Sequence, residues 1–176
     1  MSTVGIPPFD PRAPRSRYLK LLEPVVRSSF GRRFGIDIAA RADPWLLRVS
    51  HGRVGAFVGA PTALLTTTGA KSGERRAAAV LYFSEGEDLI LIASNFGRER
   101  HPAWYHNLKA HPEALMERGG VSARYLASEV SDPGERERLF VMADLLYKGY
   151  ADYRDRTAAV GREIPLLRLT LAPSLP

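Results

Sequence analysis

Four short runs of this sequence gather side chains that could do chemistry. The first is Thr66-Thr67-Thr68-Gly69-Ala70-Lys71-Ser72-Gly73-Glu74-Arg75-Arg76. Glycines at both ends free backbone N–H groups to face outward, an ammonium and a hydroxyl lie between them, and two guanidinium groups follow. That donor set suits a phosphate. It is not a nucleotide P-loop, because the four-residue spacing before Gly-Lys is missing and a strand, not a helix, follows. The second run, Ala93-Ser94-Asn95-Phe96-Gly97, falls where a strand ends. Small residues there let a flat ring approach the backbone, and Ser94 and Asn95 offer hydrogen bonds.

The third run, His101-Pro102-Ala103-Trp104-Tyr105-His106-Asn107, is dense in large amphipathic side chains. Trp104 and Asn107 are three apart and share a helix face, so an aromatic wall and an amide could meet one ligand. The fourth is Tyr147, Tyr150 and Tyr153, whose three-residue spacing lines phenols along one side of a helical turn. A phenol can stack on a quinone-like ring and can also donate a proton. Each run has a plainer reading beside the chemical one: a solvated hairpin tip, a capped strand end, a core tryptophan, and tyrosines packed for bulk alone.

Other chemistries lack their residues. His101, His106 and His111 are each five apart, which rotates them off a common face, so no metal site is expected. There is no serine elbow, no dinucleotide glycine fingerprint and no cysteine, which removes thiolate nucleophiles, zinc thiolates and disulfides.

The elements that must position these runs follow from periodicity. Ala63 to Thr68 is short, apolar and β-branched and reads as a strand; Arg75 to Phe83 returns as a second, and Leu89 to Ala93 follows the Glu85–Asp88 turn as a third. Pro102 opens a short helix that closes before Pro112. Glu113 to Arg118 and Val121 to Val130 flank Gly119-Gly120 as a hairpin. Ser131 or Asp132 caps a helix reaching about Tyr147, and Ile164 to Leu171 is a last strand. Three strands in succession make an antiparallel meander, and no βαβ alternation occurs, so the expected class is α+β with a barrel-like sheet.

The 176 residues, 45% of them hydrophobic, suffice for one core. The net charge of +6 is not spread evenly. Residues 1–60 hold ten Lys or Arg against four Asp or Glu, and residues 61–176 hold fifteen against fifteen. Residues 1–15, rich in proline, are expected to be a flexible tail. Residues 16–60 form a basic helical arm, with Tyr18, Leu22, Val26, Phe30 and Phe34 every fourth position and a second irregular or helical stretch over Asp43 to Val58. Residues 61–176 form the barrel domain. The arm either packs on the barrel or rests on an anionic membrane surface. With no leader and no spanning helix expected, the location is cytoplasmic, with the arm open to peripheral membrane contact. A neutral domain behind a basic arm argues against nucleic acid as partner.

The ordered succession of Leu64 to Gly73, Ala93-Ser94-Asn95, His101 to Leu108, Tyr150-Ala151-Asp152-Tyr153 and Arg162-Glu163-Ile164-Pro165 resembles the deazaflavin-dependent nitroreductase family, over roughly residues 60–172. The resemblance implies a split β-barrel of about six mostly antiparallel strands with flanking helices. It also implies the reduced deazaflavin coenzyme F420, not FMN, and hydride transfer to a quinone, nitroaromatic or similar acceptor. It implies further that Ala70, Lys71 and Ser72, with Arg76, Ala77, Ala78, Ala79, Val80 and Leu81, hold the phosphate tail and linker. Ile92, Ala93, Ser94 and Asn95, with Ala103, Trp104, Tyr105, His106 and Asn107, would hold the ring. Tyr150 would lie over it on the acceptor side, with Ser94, Tyr147 and Tyr153 completing the pocket. A barrel that only carries FMN, haem or lipid is the alternative, and the oligomeric state is a monomer or a homodimer.

Overall fold

The computed structural model describes residues 5–13 and 61–173. The basic helix over residues 16–34 and the stretch over residues 43–58 therefore lie outside the described residues. The strands are β1 (Thr62–Thr68), β2 (Arg75–Glu85), β3 (Asp88–Ile92), β4 (Glu113–Arg118), β5 (Val121–Glu129) and β6 (Leu166–Leu171). The helices are α1 (Ala103–Ala110), α2 (Pro133–Leu146) and α3 (Gly149–Ala158). The strands close in the order β1-β2-β3-β6-β5-β4, and every pairing is antiparallel. The expected split barrel of about six antiparallel strands is thus present and fully joined.

Strand alternation divides the apolar residues into two cores. Val80 and Tyr82 of β2, Leu89 and Leu91 of β3, and Leu167 and Leu169 of β6 point into the barrel. The intervening Phe83, Ile90, Ile92 and Leu166 point outward, where Leu139, Phe140, Met142 and Ala143 of α2 and Tyr150 and Tyr153 of α3 cover them. Each such apolar side chain contributes about 1.5–3 kcal/mol relative to exposure. The two cores fix where the helices can sit.

Local signals set the ends. Gly119 and Gly120 have φ of 60° and 84°, a turn that only glycine adopts without steric cost and that closes the β4–β5 hairpin. Asp132 caps α2 by accepting from the Glu135 N–H at 2.7 Å, with Pro133 in the first turn. The last strand begins at Leu166 rather than Ile164. Pro165 has no N–H for a ladder, and its carbonyl instead accepts from Ala93 N at 2.9 Å.

Residues 5–13, assigned from composition to a flexible tail, are instead laid on the barrel. Ile6 is buried, its N–H donating to the Tyr125 hydroxyl at 2.9 Å. The Tyr82 hydroxyl donates to the Pro7 carbonyl at 2.7 Å. Phe9 exchanges bonds with Ser84, its N–H to Ser84 Oγ at 3.1 Å and its carbonyl receiving Ser84 N at 2.8 Å. Pro7 and Pro8 have no N–H to satisfy and favour extended backbone, so a short strap needs few partners to order. No described helix is long and apolar enough to cross a membrane.

Candidate active site

The phosphate-suited run is the β1–β2 turn. Gly69 N donates to Glu74 O at 2.8 Å and Gly73 N to Gly69 O at 2.9 Å, so the turn folds back tightly. A Cβ at Gly69 would meet Ser72 Oγ at 2.7 Å, which only glycine avoids. Ala70, Lys71, Ser72 and Arg76 are all exposed. Arg76 pairs with Glu74 at 2.6 Å, whereas Lys71 and Arg75 have no ion pair among the described residues. The backbone N–H groups of Lys71 and Ser72 donate to no described residue. Two cations without an ion pair among the described residues, a hydroxyl and two backbone N–H groups that donate to no described residue are a fitting set for a phosphate or carboxylate tail.

One side chain joins this turn to α1. Asn107 is buried at 8% exposure; its Oδ1 accepts from Ala70 N at 3.0 Å and its Nδ2 donates to Thr67 Oγ1 at 3.0 Å. The cation turn and the aromatic helix are thereby one unit. From the same helix Trp104 packs half-buried on the inner core. Tyr105 is committed elsewhere, its hydroxyl donating to Glu129 Oε2 at 3.1 Å, and its ring lies 4.9 Å from His101 and 5.4 Å from His106. Ala103 and His106 are exposed.

Along β2, Ala77, Ala78, Ala79 and Leu81 are half-buried and offer a low, small-residue surface beside the turn, while Val80 points into the barrel. Ile92 and Ala93 are also core residues, so contact from Val80, Ile92 or Ala93 to a ligand would run through the backbone. After Ala93 the chain turns sharply. Asn95 and Phe96 both have positive φ, 48° and 58°, in succession before Gly97. Left-handed backbone costs a non-glycine residue about 1–2 kcal/mol, and such outliers concentrate where a loop has a task. Ser94 is buried at 8% exposure, and Asn95 Nδ2 donates to Arg100 O at 2.7 Å.

The three tyrosines do form one cluster, with ring centroids 5.5, 5.9 and 6.1 Å apart and the Tyr147 and Tyr153 hydroxyls 3.3 Å from each other. Tyr147 is the C-cap of α2, and its ring lies over Gly149, where any Cβ would collide with it. Tyr150 and Tyr153 are closed into the outer core, at 4% and 5% exposure, and Tyr147 is the most accessible of the trio. Burial pushes the Tyr150 and Tyr153 phenols well above the ordinary tyrosine value, so both stay protonated. Trp104 and Tyr150 thus belong to different cores rather than to one wall, and the Lys71 turn is joined to the helix of Trp104 through Asn107. Trp104 packs on the inner core and Tyr150 in the outer one, with Ala93 in the first, Phe96 against the second, and Gly97 closing on Tyr153 and Arg156.

Sequence reading missed Arg162 as a site residue. It is 8% exposed and donates into the loop between Ala93 and His101. In the sequence it stands only as the first residue of the Arg162-Glu163-Ile164-Pro165 motif, a cation two positions before the buried run Ile164 to Leu167, with no sign of what it would touch. Arg162 also lines a cleft of about 620 Å³ that Glu99, Glu129, Arg136 and Glu163 border together with His101, Tyr105 and Pro165. Five of its nine lining residues carry ionisable acid or guanidinium groups, which does not suit a flat tricyclic ring. No cluster of metal-ligating residues occurs among the described residues.

A closed antiparallel barrel with a cationic hairpin tip, an aromatic helix bound to that tip and a tyrosine cluster across one loop defines a split-barrel cofactor-binding oxidoreductase. A sequence profile of the F420H(2)-dependent quinone reductase family matches residues 39–170, and the chain belongs to that family. It is 33% identical over 145 residues to an F420H(2)-dependent quinone reductase of Mycobacterium tuberculosis, covering 79% of this chain and 93% of that protein. It also resembles a solved F420-H2 dependent reductase, with a TM-score of 0.56 and 34% identity over 62% of this chain and 94% of that one. A domain-swapped dimer matches with the same TM-score and identity, over 62% of this chain and 80% of that one. The cofactor of the family is coenzyme F420.

Proposed function

We propose that this chain binds reduced F420 with its anionic tail on the turn Gly69–Arg76 and its ring against Ser94-Asn95 and Trp104, and reduces a quinone or nitroaromatic acceptor held on the tyrosine side. The observation that carries this reading is the Asn107 amide, which ties the cation turn to the aromatic helix through Ala70 N and Thr67 Oγ1 at 3.0 Å each. The bound cofactor supplies the hydride.

The chain's own residues bind, orient and protonate. Lys71 and Arg75 offer charge to the tail, and the small residues Ala77 to Ala79 allow close approach along β2. Ser94 and Asn95 present polar groups at the end of β3. Tyr150, held protonated by burial, orients the acceptor and donates to the oxyanion that develops on it. For an acceptor to reach Tyr150, the ring of Tyr147, 5.5 Å away, must turn aside from its place over Gly149. Tyr153 holds Tyr147 in its resting place through their 3.3 Å hydroxyl contact, which that movement breaks.

Fluorescence titration with F420 and with FMN in parallel, followed by oxidation of the bound cofactor by menadione, tests the reading. Tight F420 binding with acceptor-dependent oxidation is expected; FMN preference, or binding without oxidation, would reject it in favour of a carrier. Two further parts of the proposal have their own measurements. A homodimer, as in the solved domain-swapped relative, predicts a concentration-dependent mass by light scattering. Contact of the basic arm with lipid predicts flotation with anionic vesicles that a chain lacking residues 1–35 loses.

A further inference from the structure

The Ala93–His101 loop is held from a distant part of the chain. Arg162 Nη2 donates to Ala93 O at 2.6 Å, Nη1 to Ser94 O at 3.1 Å and to Arg98 O at 2.7 Å, and Nε to His101 Nδ1 at 3.1 Å. The carbonyls of Ala93 and Ser94 precede the left-handed pair Asn95-Phe96 and that of Arg98 follows it, so one guanidinium grips both ends of the strained turn. The Arg162 backbone N–H donates to Thr157 O at 2.9 Å, at the end of α3, the helix that carries Tyr150 and Tyr153. On the other flank Gly97 approaches Tyr153 and Arg156 closely enough that a Cβ would sit 3.1 and 3.2 Å from them.

We propose that Arg162 is a positioning residue for the redox site: it fixes the backbone of Ala93–Arg98, and so the Ser94-Asn95 seat, in register with the tyrosine helix. This rests on the reading of that loop as the seat of the cofactor ring. The planar fork with five donors is what the geometry requires, because three carbonyls and an imidazole nitrogen lie around it in different directions. An apolar side chain of equal volume would fill the space and leave those carbonyls unpaired. Lysine offers three donors from a single nitrogen and could meet only part of the set. His101 completes the grip as a neutral acceptor at Nδ1, with its proton on Nε2.

Full-length Arg162→Gln, Arg162→Lys and His101→Ala test the assignment, by cofactor titration, menadione kinetics and amide hydrogen exchange, all well below each variant's melting midpoint. For Arg162→Gln, the cofactor Kd is expected to rise about tenfold and kcat to fall about tenfold, with the menadione KM within about twofold. Exchange should accelerate in residues 94–101 and stay unchanged in β4 and β5. Arg162→Lys should recover part of both losses, and His101→Ala, missing one bond of four, should raise Kd about threefold. If Arg162→Gln does not fold, the other two variants carry the same test. A lowered melting midpoint with wild-type Kd, kcat and loop exchange would reduce Arg162 to a fold-stabilising residue and overturn the proposal. A wild-type chain that binds no F420 would instead reject the functional reading on which it rests.

Discussion

Replacing Asn107 by alanine tests whether the cation turn is positioned by α1 or only happens to lie beside it. The side chain makes two bonds of unequal worth. The bond from Nδ2 to Thr67 Oγ1 is buried, Thr67 being 2% exposed, and without it that hydroxyl keeps only its long 3.4 Å donation to Arg76 O. Leaving a buried polar group poorly paired costs about 1–3 kcal/mol. The bond from Ala70 N lies at an exposed residue, where water substitutes, so its loss costs about 0.5 kcal/mol. The expected total is about 1.5–3.5 kcal/mol, or about 3–14 °C in melting midpoint for a chain of this size. Freed from Asn107, the turn must be re-ordered by its ligand, and about 1.4 kcal/mol of ordering weakens F420 binding about tenfold. Asn107→Asp keeps the acceptor for Ala70 N and loses the donor to Thr67. It should therefore melt low at neutral pH and recover on acidification, when the carboxyl regains a proton to donate. Thermal melts and fluorescence titrations of both variants measure these effects. A midpoint within about 1 °C of wild type together with an unchanged Kd would refute the coupling of turn to helix.

Three other perturbations follow from the same contacts. Lys71→Ala removes an exposed cation that has no ion pair among the described residues and should weaken F420 binding about tenfold, by an amount that shrinks with added salt, while kcat holds; equal affinity in titration would retire the tail assignment. Tyr150→Phe should lower menadione turnover about a hundredfold and leave cofactor affinity intact, and unchanged turnover would remove this phenol from the chemistry. Glu85 is held down to about 2, first by its hydrogen bond from Arg138 and then by Arg168, against the opposing effect of burial. Because its folded value lies below its unfolded value, its stabilisation is full above about pH 4.5 and fades as pH falls toward 2. Glu85→Gln should therefore lower the urea midpoint at pH 6 and lose most of that difference by pH 2.5, and a pH-independent difference would contradict the ion-pair account.

What the sequence made legible is what depends on neighbours a few residues apart. The β-branched run at Leu64 to Thr68, the Gly119-Gly120 turn and the Asp132-Pro133 helix start each carry their own local signal, and the barrel follows from six such strands. The four candidate runs were visible for the same reason, since each is a cluster of suitable side chains within about ten residues. Their mutual arrangement was not. Asn107 reaches Ala70 and Thr67 across 37 and 40 positions, and Arg162 reaches its loop across 61 to 69. The strap misled composition for a related reason: four prolines in residues 1–14 read as disorder, yet Ile6 and Phe9 find partners contributed by Tyr125 and Ser84, 119 and 75 positions away.

There is a physical reason why such long-range grips should be polar and should fall at the site. A strand satisfies its backbone by pairing, and a helix satisfies its own, but the loop Ala93–His101 and the turn Gly69–Glu74 do neither for every group they bring to the barrel edge. Hydrophobic contact can bury these segments and cannot satisfy their carbonyls and N–H groups. A side chain with several donors or acceptors, delivered from a rigid element, can do both. Asn107 does so from α1 and Arg162 from the turn that ends α3, so each loop inherits the rigidity of a helix already packed on one of the two cores. The cofactor's expected contacts fall on these two segments, and their geometry therefore depends on two buried polar residues that need touch no ligand.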